Sequence, residues 1–476
     1  MKVCMILEGS YPYVFGGVSS WTHHYIQSFS DTEFVLWCIG ADSSSRGKYK
    51  YTLPENVTSV EEVFLNDALR VRGEVRKTRK LKLTENEKAE IVKLITHQNP
   101  DFEVLFELFH DRQMNPTTLL MSDEFLRLLI DECGKRYPYI PFANYFYNVR
   151  SMLLPEMYLM TGQIPDADIF HCTATGYGGI LGSMGKWKNH VPLIVTEHGI
   201  YTREREEELI RAEWVPSYMR QQWVDLFYSF SGCAYQHADR ITSLFRGASQ
   251  IQEDIGAPKE KLKVIPNGVN YDAFCTIPPK EEDGYIAIGA VVRIARIKDI
   301  KTLIYSFAEA KQRVSQLRLY ILGDVDDKEY QAECLELVKQ LGVGDIVFTG
   351  VVNVKEYFPK FDFTILTSIS EGQPLSILES FAAGRPVVAT DVGCCRELVE
   401  GYDDYGPAGY ITPPMHKELI ADAIVRMSRS RKERLRMGEA GRKRAKALYT
   451  QRESISLYRE LYREVLKEQE SGRNSV

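Results

Sequence analysis

No stretch of this 476-residue chain reaches 18 consecutive apolar residues, so no segment reads as a bilayer span. The apolar start, MKVCMIL, is broken by Glu8 and is too short for a signal peptide. Nine cysteines, from Cys4 to Cys395, include no CxxC pair and no cluster with zinc-ligand spacing. Their odd number and scatter fit a reducing cytoplasm, and the adjacent Cys394 and Cys395 read as free thiols. Concentrated positive charge is missing too: the net charge is −6, whereas a nucleic-acid binder carries a basic surface. The basic run RSRKERLRMGEAGRKRAK (429–446) alternates with apolar residues at helical spacing and reads as a solvated helix face. The G-x-G-x-x-G of a nicotinamide-dependent oxidoreductase is absent after the first strand, where EGSYPYVFGG stands instead.

What is present is a globular composition, 44% hydrophobic and 26% charged, long enough for two or three domains. Short apolar runs alternate with helical patterns, the mark of βαβ units. In the first half the strands are expected at 3–8, 34–40, 167–173, 191–199, 238–245 and 261–269. Between about 61 and 160 charged and apolar residues recur at helical periods with no convincing strand, which reads as a helical insertion. The segment 271–284, YDAFCTIPPKEEDG, resembles a linker. A second set of strands follows at 285–292, 317–323, 346–350, 363–368 and 385–390, and Asp299 is placed to cap the helix after the first of them. The fold class is therefore α/β, with two doubly wound domains facing each other. The expected limits are 1–275 with its insertion at 61–160, then 276–448, then a terminal amphipathic helix over 449–476 packing back on the first domain.

SEGQPLSILES (370–380) lies at the carboxyl end of the strand FTILTS, where open α/β sheets bind ligands. Gly372 permits close backbone approach, and Pro374 begins a helix whose first amides point outward. Glu371 before that helix and Glu379 one turn inside it can grip hydroxyls at two ends of one ligand. A sugar nucleotide offers polyols at both ends and a diphosphate between. VVRIARIKD (291–299) supplies the cations for that diphosphate, Arg293 as a fork and Lys298 as a point charge.

Arg293 with Lys298, the E-x7-E pair Glu371/Glu379, and AAGRPVVATDVG after it resemble the donor domain of a family 4 retaining glycosyltransferase of the GT-B fold. VIPNGVNYDAF (264–274) is similar to the end of that family's first domain. The resemblance implies that Arg293 and Lys298 stabilise the departing diphosphate. Glu371 would hold the donor hexose with the amides of Gly372, Gln373, Pro374 and Leu375 (a proline contributing none), and Glu379 would hold the ribose. Gly16–Gly17 resembles the glycine loop that approaches phosphates and acceptor, and His198, at the end of IVTEHG, a contact to the donor sugar. TEHGIYTREREEEL (196–209), the N-terminal segment and the insertion are similar to the PelF type of the family, cytoplasmic enzymes of Pel exopolysaccharide assembly. No chemistry of its own can be read from the Arg203–Glu208 run.

The resemblance implies transfer of a hexosyl unit, with retention, from a UDP-sugar such as UDP-glucose or a UDP-N-acetylhexosamine to a growing glycan. The expected partners are the nucleotide-sugar donor, a glycan acceptor on the first domain, and inner-membrane proteins of a Pel-type complex that would recruit the enzyme. No metal is needed: GDVDD (323–327) contains an Asp-x-Asp, but Arg293 and Lys298 already bring the charge. The alternatives are a GT-B UDP-sugar epimerase and a non-catalytic nucleotide-sugar-binding component of an export complex. A glycosidase pairing of the two glutamates is disfavoured, since Glu379 sits deeper, toward the ribose.

Overall fold

The computed structural model describes residues 1–73 and 81–473; residues 74–80 of the insertion and 474–476 of the last segment lie outside the described residues. The chain forms two compact units. The first comprises Met1–Ser243, Ser249–Lys263 and the chain from Glu460 onward; the second comprises Leu244–Ala248 and Val264–Arg459. The changeover falls at 263/264 and not at 275/276, so VIPNGVNYDAF and the segment 271–284 belong to the second unit. The terminal helix, Gln451–Arg473, is likewise divided, with only its part from Glu460 in the first unit.

The first unit is built on seven strands: β1 (Lys2–Glu8), β2 (Glu33–Gly40), β3 (Val57–Phe64), β4 (Ile169–Cys172), β5 (Leu193–Glu197), β6 (Arg240–Ser243) and β7 (Leu262–Val264). Their order is β3-β2-β1-β4-β5-β6-β7. The order reverses between β1 and β4, which pair in parallel, as in a doubly wound sheet. β1 and β2 read as unbroken apolar runs because helices cover both sheet faces, and Val3 to Leu7 are buried without interruption. The helix Tyr177–Asn189 lies flush against β4 because it carries glycines there. A Cβ at Gly182 would sit 2.4 Å from the Cys172 sulfur, and one at Gly185 would sit 2.8 Å from the Phe170 ring.

β3 was not expected within the 61–160 insertion, yet it runs to Phe64. Its polar, half-exposed pattern is that of an edge strand, which hydrophobic periodicity does not mark. Beyond it the insertion is helical: Glu85–Thr96, Phe102–Phe106, Pro116–Leu120, Asp123–Arg136 and Phe142–Met160. Thr84 and Glu87 close a capping box at the first of these. Its apolar faces, with Ile91, Leu94, Phe106 and Met157, join the same core as the sheet.

Two histidines sit in this unit as neutral rings. His97 ends the helix Glu85–Thr96 with a left-handed φ of 51°, and neither ring nitrogen finds a partner among the described residues. His171 on β4 lies between the Tyr462 hydroxyl and Thr196 Oγ1, each 2.7 Å away. Burial lowers both rings to about 3. The unfolded chain titrates near the ordinary value of about 6.5, so these rings take up protons on unfolding below that pH. Stability from keeping them neutral is full above about pH 6.5 and is lost progressively toward about pH 3. Urea midpoints are expected to fall over that range, and His97→Gln is expected to flatten part of the slope.

The second unit holds β8 (Ile286–Val291), β9 (Leu317–Leu322), β10 (Ile346–Gly350), β11 (Phe363–Leu366), β12 (Val387–Thr390) and β13 (Gly409–Thr412). They pair in parallel in the order β10-β9-β8-β11-β12-β13, again reversing beside the first strand. β13 escaped the sequence reading. It is a four-residue edge strand starting on a glycine, where a Cβ would lie 1.9 Å from the Val387 carbonyl oxygen.

The basic run forms the helix Arg431–Leu448, but it is only partly a solvated face. Arg434 and Arg444 are buried at 7% and 0% exposure. Arg444 donates to both carboxylate oxygens of Asp403, at 2.6 and 2.9 Å, and to the carbonyls of Leu398, Val399, Glu400 and Gly406.

Candidate active site

The reversal point of the second sheet lies between β8 and β11, and the loops leaving both strands carry the expected residues. After β8, Asp299 adopts a left-handed φ of 48° and caps the helix Ile300–Arg313 through Thr302 N. After β11, Thr367 Oγ1 donates to the carbonyls of Lys298 and Asp299 at 3.2 and 3.3 Å, and Ile369 N donates to the Ile297 carbonyl. The two loops are thus tied together by the Thr367 hydroxyl and one backbone–backbone bond.

That tie brings Lys298 onto Glu371. The ammonium lies 2.6 Å from Glu371 Oε1, with side chains only 16% and 11% exposed, and Ser368 Oγ donates to the same oxygen at 2.5 Å. Gln373 is buried, and its side-chain oxygen accepts Asn267 N at 2.6 Å, anchoring the loop from below. Gly372 is held through its carbonyl, which accepts Cys394 N at 3.1 Å. Gly393 has φ +53°, and a Cβ there would lie 2.2 Å from the Glu371 carbonyl oxygen. Cys394 and Cys395 are buried free thiols in this supporting turn, and burial pushes both well above the ordinary thiol range. Pro374 is the N-cap of the helix Leu375–Ala382, which has no side-chain cap.

Glu379 lies on that helix. Burial raises its carboxyl to about 7, with Lys355 pulling weakly the other way. A carboxyl poised there is protonated in part at neutral pH.

Arg293 is exposed and pairs with Asp326, from the GDVDD loop after β9. Gly323 lets that loop cross the Arg293 loop closely, since a Cβ would sit 2.0 Å from the Val292 carbonyl oxygen. Asp324 accepts Val325 N, while Asp327 caps the helix Lys328–Leu341 through Tyr330 N. No sequence signal marks Ser368, Thr367 or Gly393. Asp326 is visible in the sequence as part of the Asp-x-Asp of GDVDD, which points to a metal and not to Arg293.

Three expected residues lie in the first unit. Gly16 is extended, at φ 171°, and is the N-cap of the helix Gly17–Ser28, which has no side-chain cap. A Cβ at either Gly16 or Gly17 would meet open space, so nothing within the chain demands glycine there. Trp21 of this helix packs edge-on to His198, with ring centroids 4.4 Å apart. His198 Nε2 is buried without a partner among the described residues, and burial lowers the ring to about 4. It is therefore a neutral imidazole at physiological pH, held beside the glycine-led helix.

The comparisons agree with this architecture. The MMP alpha-(1->4)-mannosyltransferase of Mycolicibacterium hassiacum is 28% identical over 304 residues, covering 61% of this chain and 69% of its own. The alpha-monoglucosyldiacylglycerol synthase of Streptococcus pneumoniae is 27% identical over 36% of this chain and 44% of its own. The crystal structure of Anabaena HepE in complex with UDP and glucose shares the fold with a TM-score of 0.59 and 14% identity, covering 96% of this chain and 98% of that one. Residues 277–444 match the family described as Glycosyl transferases group 1, and residues 1–260 match that described as Domain of unknown function (DUF3492). The chain belongs to the DUF3492 family and, with its group 1 domain, is a glycosyltransferase of the GT-B fold.

Proposed function

We propose that the protein is a family 4 retaining hexosyltransferase that uses a UDP-sugar and extends a glycan in Pel-type exopolysaccharide assembly. The observation that carries this reading is the pairing of Lys298 with Glu371 across the reversal point of the second sheet. A diphosphate satisfies the lysine and a sugar hydroxyl satisfies the carboxylate. HepE was crystallised with UDP, UDP-glucose and glucose, which supports a UDP-sugar as donor. The PelF-like part of the reading rests on the sequence resemblance of residues 196–209, the N-terminal segment and the insertion.

In this reading Arg293 and Lys298 stabilise the negative charge that grows on the leaving diphosphate. The amides of 372, 373 and 375 and Glu371 orient the hexose, Glu379 binds the ribose, and neutral His198 contacts the hexose near the reacting carbon. The nucleotide departs from the face on which the acceptor hydroxyl attacks, and a phosphate oxygen takes the proton. Catalysis rests on positioning and fixed charge. Among the described residues no helix is long and apolar enough to cross a membrane, so recruitment to the inner membrane would fall to partner proteins.

The deciding experiment measures nucleotide release and binding across UDP-, GDP- and ADP-sugars for the native enzyme and Glu371→Ala. Turnover of one UDP-sugar that the variant loses supports the reading; no binding of any nucleotide sugar sinks it. Glu379 adds a pH signature. Ribose hydroxyls donate more strongly to a carboxylate than to the acid, so UDP binding releases a proton. Affinity for UDP is expected to rise between about pH 6 and about pH 8, and Glu379→Gln is expected to reduce the dependence to what the terminal phosphate of UDP, titrating near pH 6, contributes itself, as read by calorimetry in two buffers.

A further inference from the structure

A small pocket opens in the second unit at the amino ends of β11 and β12, whereas the candidate active site lies at the carboxyl ends of the same sheet. Its volume is about 20 Å3, room for one or two water-sized guests. Lys280, Arg385, Arg431 and Arg434 line it, against the single carboxylate of Asp362. Arg431, with its side chain 36% exposed, and the exposed Leu435 form the mouth, and the buried Arg385 and Phe361 form the floor.

The carboxylate is already engaged. One Asp362 oxygen accepts Arg434 Nη2 at 3.0 Å, and the other accepts Ala287 N at 3.0 Å and lies 3.7 Å from the Lys280 ammonium. Glu282 and Asp283 pair with Arg431 and Lys280, but neither lines the pocket. Arg385, only 3% exposed, has no carboxylate partner among the described residues and donates to the carbonyls of Pro278, Phe358 and Ala383. Arg442 donates to the same Ala383 carbonyl, which sets a second guanidinium nearby. Burial and that repulsion lower Arg385 to about 10.

Donor capacity remains at the pocket. Arg434 is 7% exposed, and its Nη atoms serve Asp362 and the carbonyls of Met427 and Ser428. Its Nε, which is not enclosed, has no partner among the described residues. Arg431 donates to Glu282 and to the Lys280 carbonyl, which also leaves its Nε without a partner among the described residues. The two arginines stand three residues apart on the helix Arg431–Leu448 and so share a face. Water here would accept from these donors but leave the excess charge uncompensated, and a shielded cation without a counter-charge is costly. A phosphate or an organic carboxylate brings charge but outgrows the space. A halide is monatomic, carries the needed charge and accepts N–H groups from several directions.

We propose that this pocket is a binding site for a chloride ion, which ties the segment 278–285 and the start of β11 to the helix Arg431–Leu448. The proposal is independent of the glycosyltransferase reading. Chloride in this place acts on the stability of the second unit and not on donor binding.

The test uses the full chain. Thermal unfolding is followed as sodium chloride replaces sodium gluconate at constant ionic strength, so that screening does not change. Between about 1 mM and about 300 mM chloride the midpoint is expected to rise by about 2–4 °C, through binding to the folded state alone. Arg431→Gln removes a lining charge, and Leu435→Glu sets a carboxylate at the exposed mouth while leaving every buried ion pair intact. Each is expected to lose most of the rise, while Arg436→Gln, on the same helix but outside the pocket, keeps it. Crystals soaked in sodium bromide are expected to show an anomalous peak within hydrogen-bond reach of Arg434 Nε. The proposal is overturned if chloride and gluconate give one midpoint, if both pocket variants keep the full rise, or if no bromide occupies the pocket. A rise reproduced by phosphate and not by bromide would likewise overturn the assignment to a halide.

Discussion

Arg293→Ala is expected to lower turnover by about 10²–10³-fold, the loss typical of removing one fixed donor from developing charge. The melting temperature is expected to stay where it is. Arg293 is exposed and its pair with Asp326 is solvated, so the pair contributes little to stability. That makes Arg293 the cleaner probe of the leaving-group role. Lys298→Ala should cost turnover comparably, but it also removes the partner of Glu371, a carboxylate only 11% exposed. Some loss of stability therefore accompanies it, and single-turnover rates on folded protein are needed to separate the two. Full activity in the double variant would refute the assignment of both residues.

Arg444→Ala is expected to be the most damaging change outside the site, at about 3–5 kcal/mol. The guanidinium is fully buried, and its loss strands the Asp403 carboxylate and four backbone carbonyls at once. Denaturant midpoints for Arg444→Ala and Arg436→Ala provide the comparison. Arg436 lies in the same run but pairs with Glu433 on the surface, so its replacement is expected to leave the midpoint unchanged.

These two arginines also show where sequence reading stops. Both sit at helical spacing among other basic residues, and nothing local distinguishes the one that turns inward. What selects Arg444 is the 398–406 stretch, whose carbonyls converge on it from about forty positions earlier in the chain. The placement of the candidate residues was legible for a different reason. Arg293, Lys298 and Glu371 follow strands whose apolar runs are unmistakable, so their place at the strand ends follows from the strands alone. Asp326 was not legible as their companion, because its contact depends on how closely Gly323 lets one loop cross another. β3 and β13 were missed because edge strands are short or half polar, and only pairing defines them.

The contact between Lys298 and Glu371 makes the candidate site a lock with two tumblers. A ligand carrying phosphate alone could draw the lysine away only by leaving a shielded carboxylate with Ser368 as its remaining partner among the described residues. A free sugar could engage the carboxylate only by stranding the lysine. In the proposed site, a molecule presenting anion and hydroxyl together exchanges both partners at once. In that reading inorganic phosphate and free hexoses, however abundant, would be poor occupants, and discrimination would begin before any base or sugar stereochemistry is consulted.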